Sequence, residues 1–166
     1  MFVPTEEPTI TWNENYQLSW NDFKGPIATK TDAVATTASG ITFSYAIKRS
    51  NKKAVGFKTK IFAHFYPEKS WYKPQDANAH ILAHEQFHFN LTELYARKFR
   101  MRVAALKISP SINTELENIH KEINEALSAM QNQYDTETNF SRNFEQQKLW
   151  QEKIKQALKQ HTSYKS

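Results

Sequence analysis

The residues best able to do chemistry in this chain are His84, Glu85 and His88, in the run His84-Glu85-Gln86-Phe87-His88. On an α-helix each residue turns about 100°, so both histidines project from one face a turn apart and can grip one metal ion. Zinc is the ion expected there, and no thiolate competes for it, because the chain has no cysteine. Glu85 points beside that ion, where a carboxylate can take a proton from an activated water and pass it to a leaving amine. Such short patterns also arise by chance in helices whose histidines only pack or cap. The surroundings of the motif therefore matter.

Those surroundings are apolar and helical. Ile81, Leu82, Phe87, Phe89, Leu91, Leu94 and Tyr95 leave the helix few polar sides, the profile of a helix buried between layers. Asp76 is the expected N-cap, and the helix is expected to run to about Lys107, ahead of Ser109-Pro110. His80 adds one more turn to the histidine series. Positions i and i+8 lie about 12 Å apart along the axis, so His80 is expected to cap or neighbour the site rather than join it. Glu93 stands about 180° round the helix from His84 and is expected in an ion pair or buried hydrogen bond.

Upstream, Trp12, Tyr16, Leu18, Trp20 and Phe23 read as aromatic anchors on short extended pieces. Ile41, Phe43, Tyr45 and Ile47 alternate with polar residues, and Val55, Phe57, Ile61 and Phe65 repeat the pattern beyond a turn at Ser50-Asn51-Lys52-Lys53. An antiparallel hairpin is expected, with His64 on its polar face and without a role. Downstream, Ile112, Leu116, Ile119, Ile123, Leu127 and Met130 predict a second helix. A break over Tyr134–Phe140 is expected before a third helix that turns Trp150, Ile154 and Leu158 inward. The fold class is α+β, one domain over residues 1–166, with a small antiparallel sheet followed by the long helix and two further helices.

At 166 residues, with 39% hydrophobic and 13% aromatic content, the chain can bury a core without a structural metal. No apolar run approaches the roughly 20 residues of a membrane span, so no transmembrane segment is expected. The net charge is +5, but the basic residues fall in small groups, Lys48/Arg49/Lys52/Lys53 and Arg97/Lys98/Arg100/Arg102. Nucleic acid is therefore not expected as a partner. Met1–Glu7 lacks the basic and apolar regions of a signal peptide, which leaves either a cytosolic protein or a mature form without its leader.

Several separated motifs carry a resemblance: His84-Glu85-Gln86-Phe87-His88-Phe89, Glu93-Leu94-Tyr95-Ala96-Arg97, Tyr134-Asp135-x-x-Thr138, Gln147-x-x-Trp150, and upstream Leu18-x-Trp20-x-Asp22-Phe23 and Ser70-Trp71. The chain resembles a bacterial family of predicted secreted zinc-dependent proteases, otherwise labelled domain of unknown function 922. The resemblance implies a zincin-like fold, a zinc cofactor, a peptide or protein substrate and a secreted or periplasmic location. It also implies a role for the Tyr134-Asp135 motif. A catalytic zinc takes three protein ligands and one water, and Asp135 is the third ligand expected beside His84 and His88. Tyr134 is expected to donate to the oxyanion. Glu115, Glu117 and Glu122 remain alternatives, by analogy with zincins in which a following helix supplies the carboxylate. Family members commonly carry histidine where this chain has Phe140. Two readings follow: an active metallopeptidase with Glu85 as general base, or an inactive zincin-like module that binds a protein or cell-envelope partner.

Overall fold

The computed structural model describes residues 6–166. Its sheet is built on one hairpin, β3 (Ser39–Ser50) and β4 (Lys53–Phe65). Cross-strand partners share a face, and Ile41↔Ala63, Phe43↔Ile61 and Ile47↔Phe57 put the apolar residues on the core side, with Ile61, Ala63 and Phe65 buried. The turn is two residues long, with Asn51 and Lys52 at φ 51° and 66°, the left-handed pair whose twist matches that of hairpin strands.

One residue departs from the expected alternation. Val55 is 45% exposed, because the register shifts at Lys48/Arg49 and leaves Val55 as an extra residue without a cross-strand partner. A bulge of this kind re-aims the side chain it inserts. β1 (Ile10–Thr11) adds to the free edge of β4, giving the order β1-β4-β3, while β2 (Ala35–Thr36) pairs antiparallel with β5 (Trp71–Tyr72) in a separate ribbon. These three short strands lack the length for a readable alternation.

The long helix α1 spans Ala79–Ala104, a little shorter than expected at both ends. Asn78, not Asp76, is its N-cap: the Asn78 side chain accepts from the Ile81 N–H at 2.9 Å. One side of α1 covers the hairpin and the other meets α2 (Ile112–Glu137) and α3 (Phe144–Gln160). This sandwiched position explains why its middle turns are buried on nearly every side, Glu93 included. Glu93 is 1% exposed and accepts from Arg97 Nε and Arg100 Nη1, each at 3.1 Å.

The expected break at Tyr134 begins later. Helix α2 continues through Tyr134 and Asp135 to Glu137, so both residues sit on its last turns rather than in a loop. The chain reverses at Asn139, Phe140 and Ser141, with φ of 49°, 53° and 77°. Three consecutive left-handed residues without glycine are costly. They are held by Phe140 N–H to Asp135 O at 2.8 Å, Asn143 N–H to Thr138 O at 2.8 Å, and a His80 Nε2 contact to Ser141 O at 2.6 Å. Asn143 then caps α3, which buries Gln147, Trp150 and Ile154.

Candidate metal centre

Helix α1 presents His84 and His88 on the face that meets α2, as the four-residue spacing requires. Across that contact, Asp135 Oδ1 lies 3.0 Å from His84 Nε2 and 2.7 Å from His88 Nε2. One donor atom from each of the three residues falls within 4.8 Å of the others, close enough to share a single ion. Asp135 reaches the site because it is one helical turn beyond Gln131, on the side of α2 that faces α1.

Hydrogen bonding decides which ring nitrogens are free. His88 Nδ1 is 2.5 Å from Gln131 Oε1, which can only accept, so Nδ1 carries a proton and Nε2 is the atom left to ligate. Gln131 is fixed in turn, its Nε2 donating to His88 O at 2.9 Å and Thr92 Oγ1 at 3.2 Å. His84 has no such support: its Nδ1 is buried without a partner among the described residues. The ring of Tyr134, stacked on His84 at 4.5 Å between centroids, orients it instead.

The charges follow this geometry. Burial would raise the Asp135 pKa, but hydrogen bonds from His84 and His88 outweigh it and hold the carboxyl well below the usual carboxylate range. Burial likewise opposes a charged His88, and is outweighed by the Asp135 hydrogen bond, the Glu85 and Asp135 charges and the Gln131 hydrogen bond, which raise its pKa. Without metal, this raised pKa favours the charged form of His88, in which both nitrogens donate, Nδ1 to Gln131 and Nε2 to Asp135. A divalent cation would replace its Nε2 proton.

Glu85 sits beside this cluster and is 5% exposed. Its Oε2 accepts from Thr37 Oγ1 at 2.5 Å, while Oε1 has no hydrogen-bond partner among the described residues. A cleft of about 390 Å³ opens over Glu85, His84, His88 and Asp135, walled by residues 33–37 on one side and Phe140, Ser141 and Arg142 on the other. The donor set, two imidazoles and an ionised carboxylate with an open side, fits a zinc ion.

A family model described as "Bacterial protein of unknown function (DUF922)" matches residues 13–143. The chain belongs to this family. No curated protein and no solved structure matches it. The DUF922 match spans the hairpin, α1 and all of α2, and therefore every residue of the cluster.

Tyr134 is corrected. It is fully buried, its hydroxyl donates to the main-chain carbonyl of His84 at 3.0 Å, and burial raises its pKa further, helped by the charges of Glu85 and Asp135. A hydroxyl bonded to the main chain of α1 does not reach an oxyanion in the cleft; Tyr134 positions His84. The alternative ligands on α2 are engaged elsewhere, Glu115 with Ser109, Glu117 with Tyr45 and Glu122 with Arg102. His80 neighbours the site through Ser141 O without entering the cluster. Gln131 and Thr37 stand outside every motif of the sequence. Gln131 could have been found by stepping back four residues from Asp135, whereas nothing local to Thr37 marks it.

Proposed function

We propose that this DUF922 protein is a zinc-dependent metallopeptidase of zincin-like architecture, in which His84, His88 and Asp135 hold the metal. The observation that supports this reading is the convergence of those three donors beside the hydrogen-bonded carboxylate of Glu85, at the floor of an open cleft. A zinc ion held there would supply Lewis acidity, polarising a carbonyl and bringing the pKa of water to about 7. The chain's own residues do the rest. Thr37 orients Glu85 through Oε2, leaving Oε1 to take a proton from water and return it to the leaving amine. Gln131 and Tyr134 hold the two imidazoles in register.

Substrate binding fits the same wall. Lys73 N–H bonds Val34 O at 2.7 Å, and alternation in an antiparallel pair then directs the N–H and C=O of Ala35 to the opposite edge of β2. Residues 33–37 line the cleft, so an extended peptide could pair with that edge as an added strand. Export from the cytoplasm belongs to the same reading.

A second reading, a zincin-like module that binds a partner without catalysis, is favoured by Phe140, which is 56% exposed at the cleft where the family commonly has histidine. The deciding experiment compares wild type with Glu85→Gln, using metal analysis after purification without chelator and hydrolysis of unfolded protein. Near-stoichiometric zinc in both with turnover only in wild type is expected. Zinc-loaded wild type without turnover on a broad peptide library would support the second reading, and equal turnover in both would remove Glu85 from the mechanism.

A further inference from the structure

The charge of this protein is not spread over its surface. Residues 33–67 contain Lys48, Arg49, Lys52, Lys53, Lys58 and Lys60 and no aspartate or glutamate. The chain has 22 lysines and arginines against 17 acids, so setting these six aside leaves 16 cations facing 17 acids. The whole positive excess therefore belongs to the hairpin. Two groups that look separate in sequence meet across it: Lys58 pairs with Ala46, Lys60 with Ser44 and Lys48 with Gly56, all on the outward face, while Arg49, Lys52 and Lys53 surround the turn.

All six side chains are exposed, and none forms an ion pair among the described residues. Like charges held together without partners cost stability. The bulge adds an apolar element to this cationic end by turning Val55 outward, 45% exposed, between Lys53 and the outward-facing Lys58.

We propose that the tip and outward face of the β3–β4 hairpin dock the protein on an anionic lipid surface. Clustered cations gain about 1 kcal/mol each near such a surface, and an exposed aliphatic side chain among them can enter the interface. Lipid suits the patch better than nucleic acid. The cations surround the end of a two-stranded ribbon rather than a groove, and the aromatic residues on the outward face, Phe62 and His64, are half-buried and stacked on each other near its root. Ser39, at the root, borders the cleft, so the docked tip stands roughly 35 Å of extended strand away from it and leaves the cleft open.

The test is co-sedimentation of the full chain with phosphatidylcholine vesicles containing about 30 mol % phosphatidylglycerol at about 0.15 M salt, where screening acts within about 8 Å. The quadruple variant Lys52→Gln, Lys53→Gln, Lys58→Gln, Lys60→Gln removes four charges. The control Lys148→Gln, Lys153→Gln, Lys155→Gln, Lys159→Gln removes as many from α3. The hairpin variant is expected to lose on the order of 10³-fold in vesicle partitioning, the four charges at about 1.4 kcal/mol per tenfold, and the control less than about tenfold. Val55→Ser is expected to weaken binding without altering its salt dependence. Thermal melts of all variants check that the fold is kept. Equal losses in the two quadruple variants would reduce the effect to net charge and overturn the proposal. So would absent vesicle binding by wild type, or single-stranded oligonucleotides displacing the protein from lipid.

Discussion

Replacing Gln131 by leucine tests whether α2 tunes the metal centre through a residue that need not touch the ion. The substitution nearly conserves volume but removes three hydrogen bonds, to His88 Nδ1 at 2.5 Å, His88 O at 2.9 Å and Thr92 Oγ1 at 3.2 Å. Two of these are ordinary bonds of about 1 kcal/mol each, and loss of the third leaves a buried N–H unpaired at a cost of about 1–3 kcal/mol, so the metal-free protein should lose about 3–5 kcal/mol. Loss of a partner that orients a metal-ligating histidine weakens metal affinity by about 10–100-fold, or about 1.4–2.7 kcal/mol. A second effect opposes this at low pH. Gln131 helps to raise the His88 pKa, so without it fewer protons compete for Nε2. The affinity loss should therefore be larger at about pH 8.5, where fewer protons compete for Nε2 in either protein, than at about pH 6. Competition titration against a fluorescent zinc chelator at both pH values measures it. Gln131→Glu, which keeps the acceptor, should bind zinc at least as tightly as wild type. If Gln131→Leu binds zinc within about twofold of wild type at high pH, His88 is not held as a ligand through Nε2 and the site geometry is wrong.

Three other outcomes are expected. Asp135→Ala should weaken zinc by about 100-fold or more, the upper end of what even indirect partners cost, while Glu122→Ala, whose carboxylate pairs with exposed Arg102, should leave it unchanged by the same titration. Glu93→Ala should cost about 3–5 kcal/mol in urea unfolding, because it strands the buried Arg97 guanidinium, yet leave zinc affinity of the folded protein intact. The zinc-induced rise in Tm should grow from about pH 5.5 to 8. His88 has a raised folded pKa, so the metal-free protein draws stability from its charged pair with Asp135 below the unfolded value near 6.5 and loses it as pH rises through the folded value, whereas zinc needs that proton gone. A rise in Tm that shrinks toward pH 8 would contradict this sign.

Much of the architecture could be read directly from residue order. The hairpin follows from alternation at Ile41–Ile47 and Phe57–Phe65, and α2 from the stripe Ile112 to Leu127, because a period of two or of 3.6 is local information. Val55 defeated the alternation through a bulge that no single strand encodes. Asp76 and Asn78 are equally good caps by type, and only the side-chain bond to Ile81 N–H separates them. The end of α2 is not legible locally because Tyr134-Asp135-Thr136 carries weak helix formers, whereas packing against α1 and the Thr138 hydroxyl bond to Tyr134 O keep the helix going.

The sequence by itself determined the two imidazoles and the carboxylate of Glu85, since their common helix and spacing set where they point. It also determined the total charge, though not that all of the excess gathers on one hairpin. Only the tertiary structure decided that Asp135 Oδ1 meets both histidines, that Gln131 selects the His88 nitrogen left to ligate, that Thr37 holds Glu85 and that the Tyr134 hydroxyl is spent on His84 O. Each of these contacts joins residues more than 40 positions apart. Spacing along one helix says nothing about them, because they depend on how α2 and the 33–37 segment pack against α1, which the summed burial of the whole core sets.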